Sequence, residues 1–200
     1  VVDDEGVDPG VDPGDDDADR AAGRDRSAPA DQPVETVDAT GRVVGLVTRA
    51  EMRARNLPHR AVSVVVRRPA DGAVLVHRRA GWKDLWPGRW DLAFGGVADP
   101  GESDDDAARR ELAEEAGLVA GPGGGDPALR RIGPARYDGE VRWVGSLYEV
   151  RAAGPFRFDD GEVVEVAWVP VAELADWTAR HEVCPDNVEV VGAWLLGAAR

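Results

Sequence analysis

Glu111, Glu114 and Glu115 are the residues whose type and spacing could do chemistry, and the chemistry is divalent-cation binding. On a helix advancing about 100° per residue, Glu111 and Glu115 are i,i+4 neighbours, and Glu114 lies one step round from both. Ala108, Leu112 and Ala116 make the adjacent apolar stripe, so the three carboxylates border the buried face. Like charges crowded in this way repel unless a cation is held between them. Hard carboxylate oxygens suit Mg²⁺ or Mn²⁺, which keep waters and take further ligands from substrate phosphates. Arg110 stands among them and could orient Glu102 or a neighbouring glutamate. An ordinary charged helix on a solvated face is the blander reading of Glu-x-x-Glu-Glu alone.

These glutamates need a helix with defined ends, and the flanking residues supply one. Ser103 is a good N-cap, with Asp106 three residues on approximating a capping box. Asp104, Asp105 and Asp106 fall in the first turn, where the helix dipole favours negative charge. Gly117 can take the left-handed conformation that ends a helix. The predicted helix is Ser103–Ala116. Before it, a hairpin is predicted from Glu35–Asp38 and Val43–Thr48 around Thr40-Gly41, then a short helix over Ala50–Asn56. Strands follow at Ala61–Arg68, Ala73–His77 and Asp91–Val97, the last after a tryptophan-bearing loop. Beyond the helix come a glycine-rich loop at Pro122–Pro127 and strands at Leu129–Asp138, Val141–Arg151 and Glu162–Pro170. Helices at Val171–Arg180 and Asn187–Ala199 complete a mixed α+β domain with a helix-covered sheet.

Composition narrows the function classes. The chain has 200 residues and a formal charge of -14. Residues 1–34 hold eleven acidic side chains against three arginines, and repeat Val-Asp-Pro-Gly at Val7 and Val11. Such a stretch cannot bury enough apolar surface to offset its ordering entropy, so a disordered acidic tail is expected, with the folded domain over 35–200. The remainder is mildly acidic, which argues against a nucleic-acid partner. Cys184 is the single cysteine, no apolar run is long enough to span a bilayer, and no secretory signal is expected. A cytoplasmic protein that does not engage membranes is the expectation.

Gly96, Glu102, Arg110, Glu111, Leu112, Glu114, Glu115, Gly117 and Leu118 fill every specified position of a known motif. The segment resembles the Nudix box. The resemblance implies the Nudix fold, an α-β-α sandwich with a central mixed sheet, and hydrolysis of a diphosphate linkage in a small-molecule substrate. It implies Glu111, Glu114 and Glu115 as metal ligands, with Glu102 and Arg110 in support. The implied mechanism is attack of a metal-activated water on phosphorus. The general base is a box glutamate, or Glu162 or Glu165 from the later segment Gly161–Trp168. A homodimer is compatible with the family.

Resemblance outside the box extends over roughly residues 35–199. Leu57-x-His59-Arg60-Ala61, Val74–Arg79, Lys83 and Pro87-Gly88-x-Trp90 look like the isopentenyl-diphosphate isomerase side of the superfamily. An isomerase would need a cysteine just before the box glycine, where Gly95 stands, and a histidine where Val97 stands. His59 matches one histidine ligand, while Met52 takes the place of another. Protonating a double bond requires positioned acid and base groups, and those positions lack them. The resemblance therefore favours an isomerase-like Nudix hydrolase. The alternatives are the isomerase itself and a non-catalytic nucleotide-sensing module. Arg78 and Arg79, at a strand end, and Gly96 are candidate substrate-binding residues. Trp82, Trp86 and Trp90 read as packing or as stacking on a base.

Overall fold

The computed structural model describes residues 29–121 and 127–197. Residues 1–28 of the expected tail, most of the glycine-rich loop and residues 198–200 lie outside the described residues. The first strand starts two residues before the expected Glu35. Strand β1 is Pro33–Val37, and Val34 within it is fully buried. A valine that fills the core gains more from burial than its acidic flank suggests.

β1 pairs antiparallel with β2 (Val43–Thr48), and helix α1 (Arg49–Ala54) follows, capped by the Thr48 hydroxyl accepting from Glu51 N. β3 (His59–Arg67) and β4 (Val74–Arg79) come next. The expected strand over Asp91–Val97 is largely absent. Only β5 (Trp90–Asp91) is regular, and Phe94 and Val97 make single bridges to Val64 and Ala61. The reason is Gly95, whose φ of 152° turns the chain between them. Helix α2 (Asp104–Ala116) precedes β6 (Arg130–Asp138), β7 (Arg142–Arg151) and β8 (Val163–Val169). A 3₁₀ turn at Val171–Glu173 leads into α3 (Leu174–Arg180). Where one long helix was expected from Asn187, the chain winds as a π-helix over Asn187–Gly192 and then forms α4 (Ala193–Leu195).

The sheet is mixed and eight-stranded. β3 runs parallel to β7 from His59↔Trp143 to Arg67↔Arg151 and touches β4 at Arg67↔Val74. β7 continues to β6, and β4 carries β5 and β8, all antiparallel. Because side chains alternate along a strand, β3 feeds two cores. Val62, Val64 and Val66 pack with Phe94 and with Ala107, Ala108, Leu112 and Ala116 of α2. Val65 faces the other way, toward Leu174 and Val191 of the C-terminal helices. Helices thus cover both sheet faces, which is the expected α-β-α sandwich.

His77 of β4 is buried and stacks on Phe94 with centroids 4.4 Å apart, and its Nδ1 has no hydrogen-bond partner among the described residues. Desolvation lowers its pKa from 6.5 to about 4. Between those values the unfolded chain binds the proton and the folded chain does not, so this contribution to stability is lost as pH falls through the window. His77→Phe removes the penalty. Its unfolding free energy relative to wild type should rise by up to roughly 3 kcal/mol as pH falls from about 6.5 to about 4. Urea melts at several pH values measure the gap, and a constant gap would contradict this account.

Candidate active site

Helix α2 is built as its ends foretell. The Ser103 hydroxyl accepts from Asp106 N at 3.1 Å and donates to the Asp106 carboxylate at 2.7 Å. Gly117 closes the helix at φ 64°, and its N–H bonds to carbonyls in the last turn. With its alanine and leucine stripe sunk against β3, the helix turns Glu111 and Glu115 under the Phe94–Val97 bend, where both are buried. Glu115 accepts the Gly95 N–H at 2.9 Å. Glu111 lies against the Cα of Gly96, where a Cβ would stand 2.8 Å from its Oε1.

Arg110 ties the helix to the preceding loop. Its guanidinium grips both Glu102 oxygens at 3.0 and 2.9 Å, and donates to the Val97 carbonyl at 3.2 Å. Its Nη1 lies between Glu111 and Glu114 at 2.8 and 3.1 Å. Burial raises the Glu102 carboxyl, but its bonds from Arg110 and Asp99 N more than reverse this and leave it below its ordinary range. Burial raises Glu111 well above the carboxylate range despite Arg110. Burial, then repulsion from Glu111, likewise raises Glu115 well above that range.

These residues open onto a cavity of about 370 Å³. Its walls include Glu111, Glu114, Glu115, Glu162, Asp160, Arg79, Lys83, Gly95 and Gly96. Arg49 and Arg53 line it from α1, and Trp86, Val141, Trp143, Asp186 and Asn187 line it from later segments. Glu162 is paired with Lys83. Arg79 is paired with Asp91 at 3.1 Å.

Two candidates separate from the site. Arg78 points away from the cavity and pairs with Glu165 at 2.8 Å on the exposed surface. Successive strand side chains face opposite ways, so Arg79 enters and Arg78 cannot. Glu165 leaves with it. Of the tryptophans, Trp90 packs edge-on against Trp177, while Trp86 donates to Glu140 at 2.8 Å. Sequence reasoning missed Arg49, Arg53, Asp84, Asp91 and Asp186. Their one visible signal is an i,i+4 arginine pair on a short helix, and such pairs are common on solvated faces.

A family model described as the NUDIX domain matches residues 57–190. The chain belongs to the Nudix family. An uncharacterised Nudix hydrolase of Streptomyces coelicolor is 41% identical over 164 residues, covering 80% of this chain and 86% of that protein. The uncharacterised Nudix hydrolase YfcD of Escherichia coli K12 is 34% identical over 169 residues, covering 84% and 88%. In fold, the crystal structure of DR0079 from Deinococcus radiodurans matches with a TM-score of 0.68 at 21% identity, over 84% of this chain and all of that one. The MutT protein of Methanosarcina mazei follows at TM-score 0.57 and 19% identity, over 72% of this chain and 96% of its own. The relatives support a hydrolase acting on pyrophosphate bonds in general.

Nudix hydrolases generally use divalent cations such as Mg²⁺. The residues here fit one. Glu111 and Glu115 are desolvated, repel each other and are held above the ordinary carboxylate range, the imbalance that a nearby dication relieves. Among the described residues no three such groups stand at mutual ligand spacing, and Arg110 lies between Glu111 and Glu114.

Gly96→Ala tests how closely this Nudix site is packed. The new methyl meets only the end of a flexible side chain, so stability should fall by no more than about 1.5 kcal/mol. Displacing Glu111 should nevertheless cut turnover about a hundredfold. Paired urea and rate measurements check this, and equal losses in both would point to misfolding instead.

Proposed function

We propose that this chain hydrolyses the diphosphate linkage of a small-molecule substrate with Mg²⁺ or Mn²⁺ held by Glu111, Glu114 and Glu115. One observation carries the reading: the three box glutamates, Glu162, Arg79 and Lys83 line a single cavity. A bound divalent cation would neutralise charge developing on the phosphoryl oxygens. Arg79, fixed by Asp91 and by the Leu85 carbonyl, directs its remaining N–H groups at a phosphate oxygen. Glu162 takes the proton of the attacking water, and Lys83, bonded to its Oε2, holds that carboxylate in orientation. Arg110 and Glu102 set the helix against the Gly95-Gly96 loop and so fix where Glu111 and Glu115 point.

Within the family, the residues outside the box favour an isopentenyl-diphosphate-isomerase-like hydrolase over the isomerase. No thiol stands at Gly95, and Cys184 is buried in a different cluster, its thiol raised by burial and by Asp91. Intact box glutamates argue against a sensing module without turnover. The test incubates the protein with Mg²⁺ and nucleoside triphosphates, dinucleotides, nucleotide sugars, CoA derivatives and isoprenoid diphosphates, following phosphate release and product masses. Cleavage of any member supports the reading. Conversion of isopentenyl diphosphate to its isomer would overturn it, as would tight binding of one compound without turnover.

A further inference from the structure

We propose that Arg49 and Arg53 of α1 form a phosphate seat, a part of the cavity that takes the terminal phosphoryl of the substrate. The inference rests on the diphosphate reading above and extends it to a residue pair outside the box. Charge balance along the wall singles these two out. Arg79 is matched by Asp91, Lys83 by Glu162, and Arg110 by Glu102, Glu111 and Glu114. Among the described residues the one carboxylate near Arg49 and Arg53 is Asp84, at 4.0 and 3.5 Å from the two Nε atoms, and their other bonds are to neutral groups, Arg49 Nη1 to Gln32 Oε1 at 3.5 Å and Arg53 Nη1 to the Met52 sulfur at 3.7 Å. The Nε of each is buried with no acceptor among the described residues. Two guanidiniums four residues apart on one helix face repel each other. Burial, with Arg49 alongside, lowers the Arg53 pKa from its ordinary value, as befits a cation short of counter-charge.

Native proteins seldom leave buried donors unmade, and unpaired ones point to a role or an unseen ligand. The missing partner has to be anionic, rich in acceptors and able to reach both forks. A phosphoryl group meets all three requirements, and guanidinium forks bind phosphate bidentately. Arg49 and Arg53 line the same cavity as Arg79, Glu111 and Glu115, and Arg53 feels the charge of Arg79. A phosphate on α1 therefore leaves the adjoining phosphate near the box carboxylates. Asp84, more than a third exposed, occupies the seat as a competitor that the substrate displaces.

Isothermal titration of the full chain with inorganic pyrophosphate, in EDTA to exclude divalent ions, tests this. Arg49→Gln and Arg53→Gln should each weaken binding roughly tenfold or more, the loss of a charge-assisted bond. Arg53→Lys, keeping charge but not the fork, should fall between. Asp84→Asn should strengthen binding, and Arg78→Gln, off the cavity, should leave it unchanged. Thermal melts confirm that each variant is folded. Unchanged affinity in the folded arginine variants, weaker binding in Asp84→Asn, or no pyrophosphate binding by wild type would each overturn the proposal. Arginine-dependent binding with no turnover of any diphosphate would keep the seat and remove the hydrolase.

Discussion

Glu115→Gln should lower kcat for diphosphate cleavage at least about a thousandfold and, without divalent ions, raise the thermal midpoint. Both effects have one cause. Glu115 is buried, Glu111 repels it, and it accepts a hydrogen bond from Gly95 N. The glutamine oxygen can still accept that bond, so the shape of the site survives while its charge is lost. The stability effect has a defined sign. A carboxyl raised on folding holds a proton that the unfolded chain has released, so its contribution is present below about pH 4.5 and is lost as pH rises. Wild type bears that loss at pH 8 and the variant does not. The difference in midpoint should shrink toward pH 4.5, and added Mg²⁺ should stabilise wild type far more than the variant. Melts at pH 5 and pH 8 with and without Mg²⁺, beside rate measurements, decide the matter. Full turnover by Glu115→Gln would remove this residue from the site.

The second large effect is expected one loop away. Gly95→Ala should destabilise by about 3 kcal/mol or more, and Gly95→Cys by at least as much. A Cβ here would lie 2.1 Å from the Val62 carbonyl oxygen, a distance that no side-chain rotation relieves. The backbone at φ 152° is also one that L-residues rarely adopt. This contrasts with Gly96, where the neighbouring atoms belong to a side chain. Gly95 occupies the position where an isomerase would need its cysteine, so the local backbone opposes that chemistry as well as the residue type. Because Gly95 N also holds Glu115, the same substitution should lower activity. Urea unfolding measures the cost, and a Gly95→Cys protein with wild-type stability would refute the steric argument.

The parts legible in the sequence are those whose causes lie within a few residues. Ser103, Asp106 and Gly117 mark the ends of α2 through local bonds, and the structure shows each in place. The β-branched residues of Ala61–Arg68 declare a strand, and β3 is found there. What escaped depends on distant residues. Asp91–Val97 reads as a strand by composition, but the close approach of Val62 demands a glycine and the chain bends there. Arg78 and Arg79 look alike in sequence, and only the sheet shows which enters the cavity. The winding after Asp186 is set by long-range bonds, with Leu92 N donating to the Asn187 side chain at 3.3 Å and Trp143 Nε1 to Asp186 at 3.1 Å. Arg49 and Arg53 join the cavity through the packing of α1 against β1 and β2, which no local pattern encodes.

The parallel pairing of β3 with β7 governs the order of events during synthesis. Every rung joins residues 59–67 to residues 143–151, with the whole box between them. No rung can form until β7 has left the ribosome, roughly 80 residues after β3, and at about 5–20 residues per second that takes about 4–16 s. For that interval the β7 side of the β-branched segment Val62–Val66 stays unpaired, the kind of edge that associates with other chains. Yield in cells should therefore respond to chaperone supply and growth temperature even when the finished fold is stable.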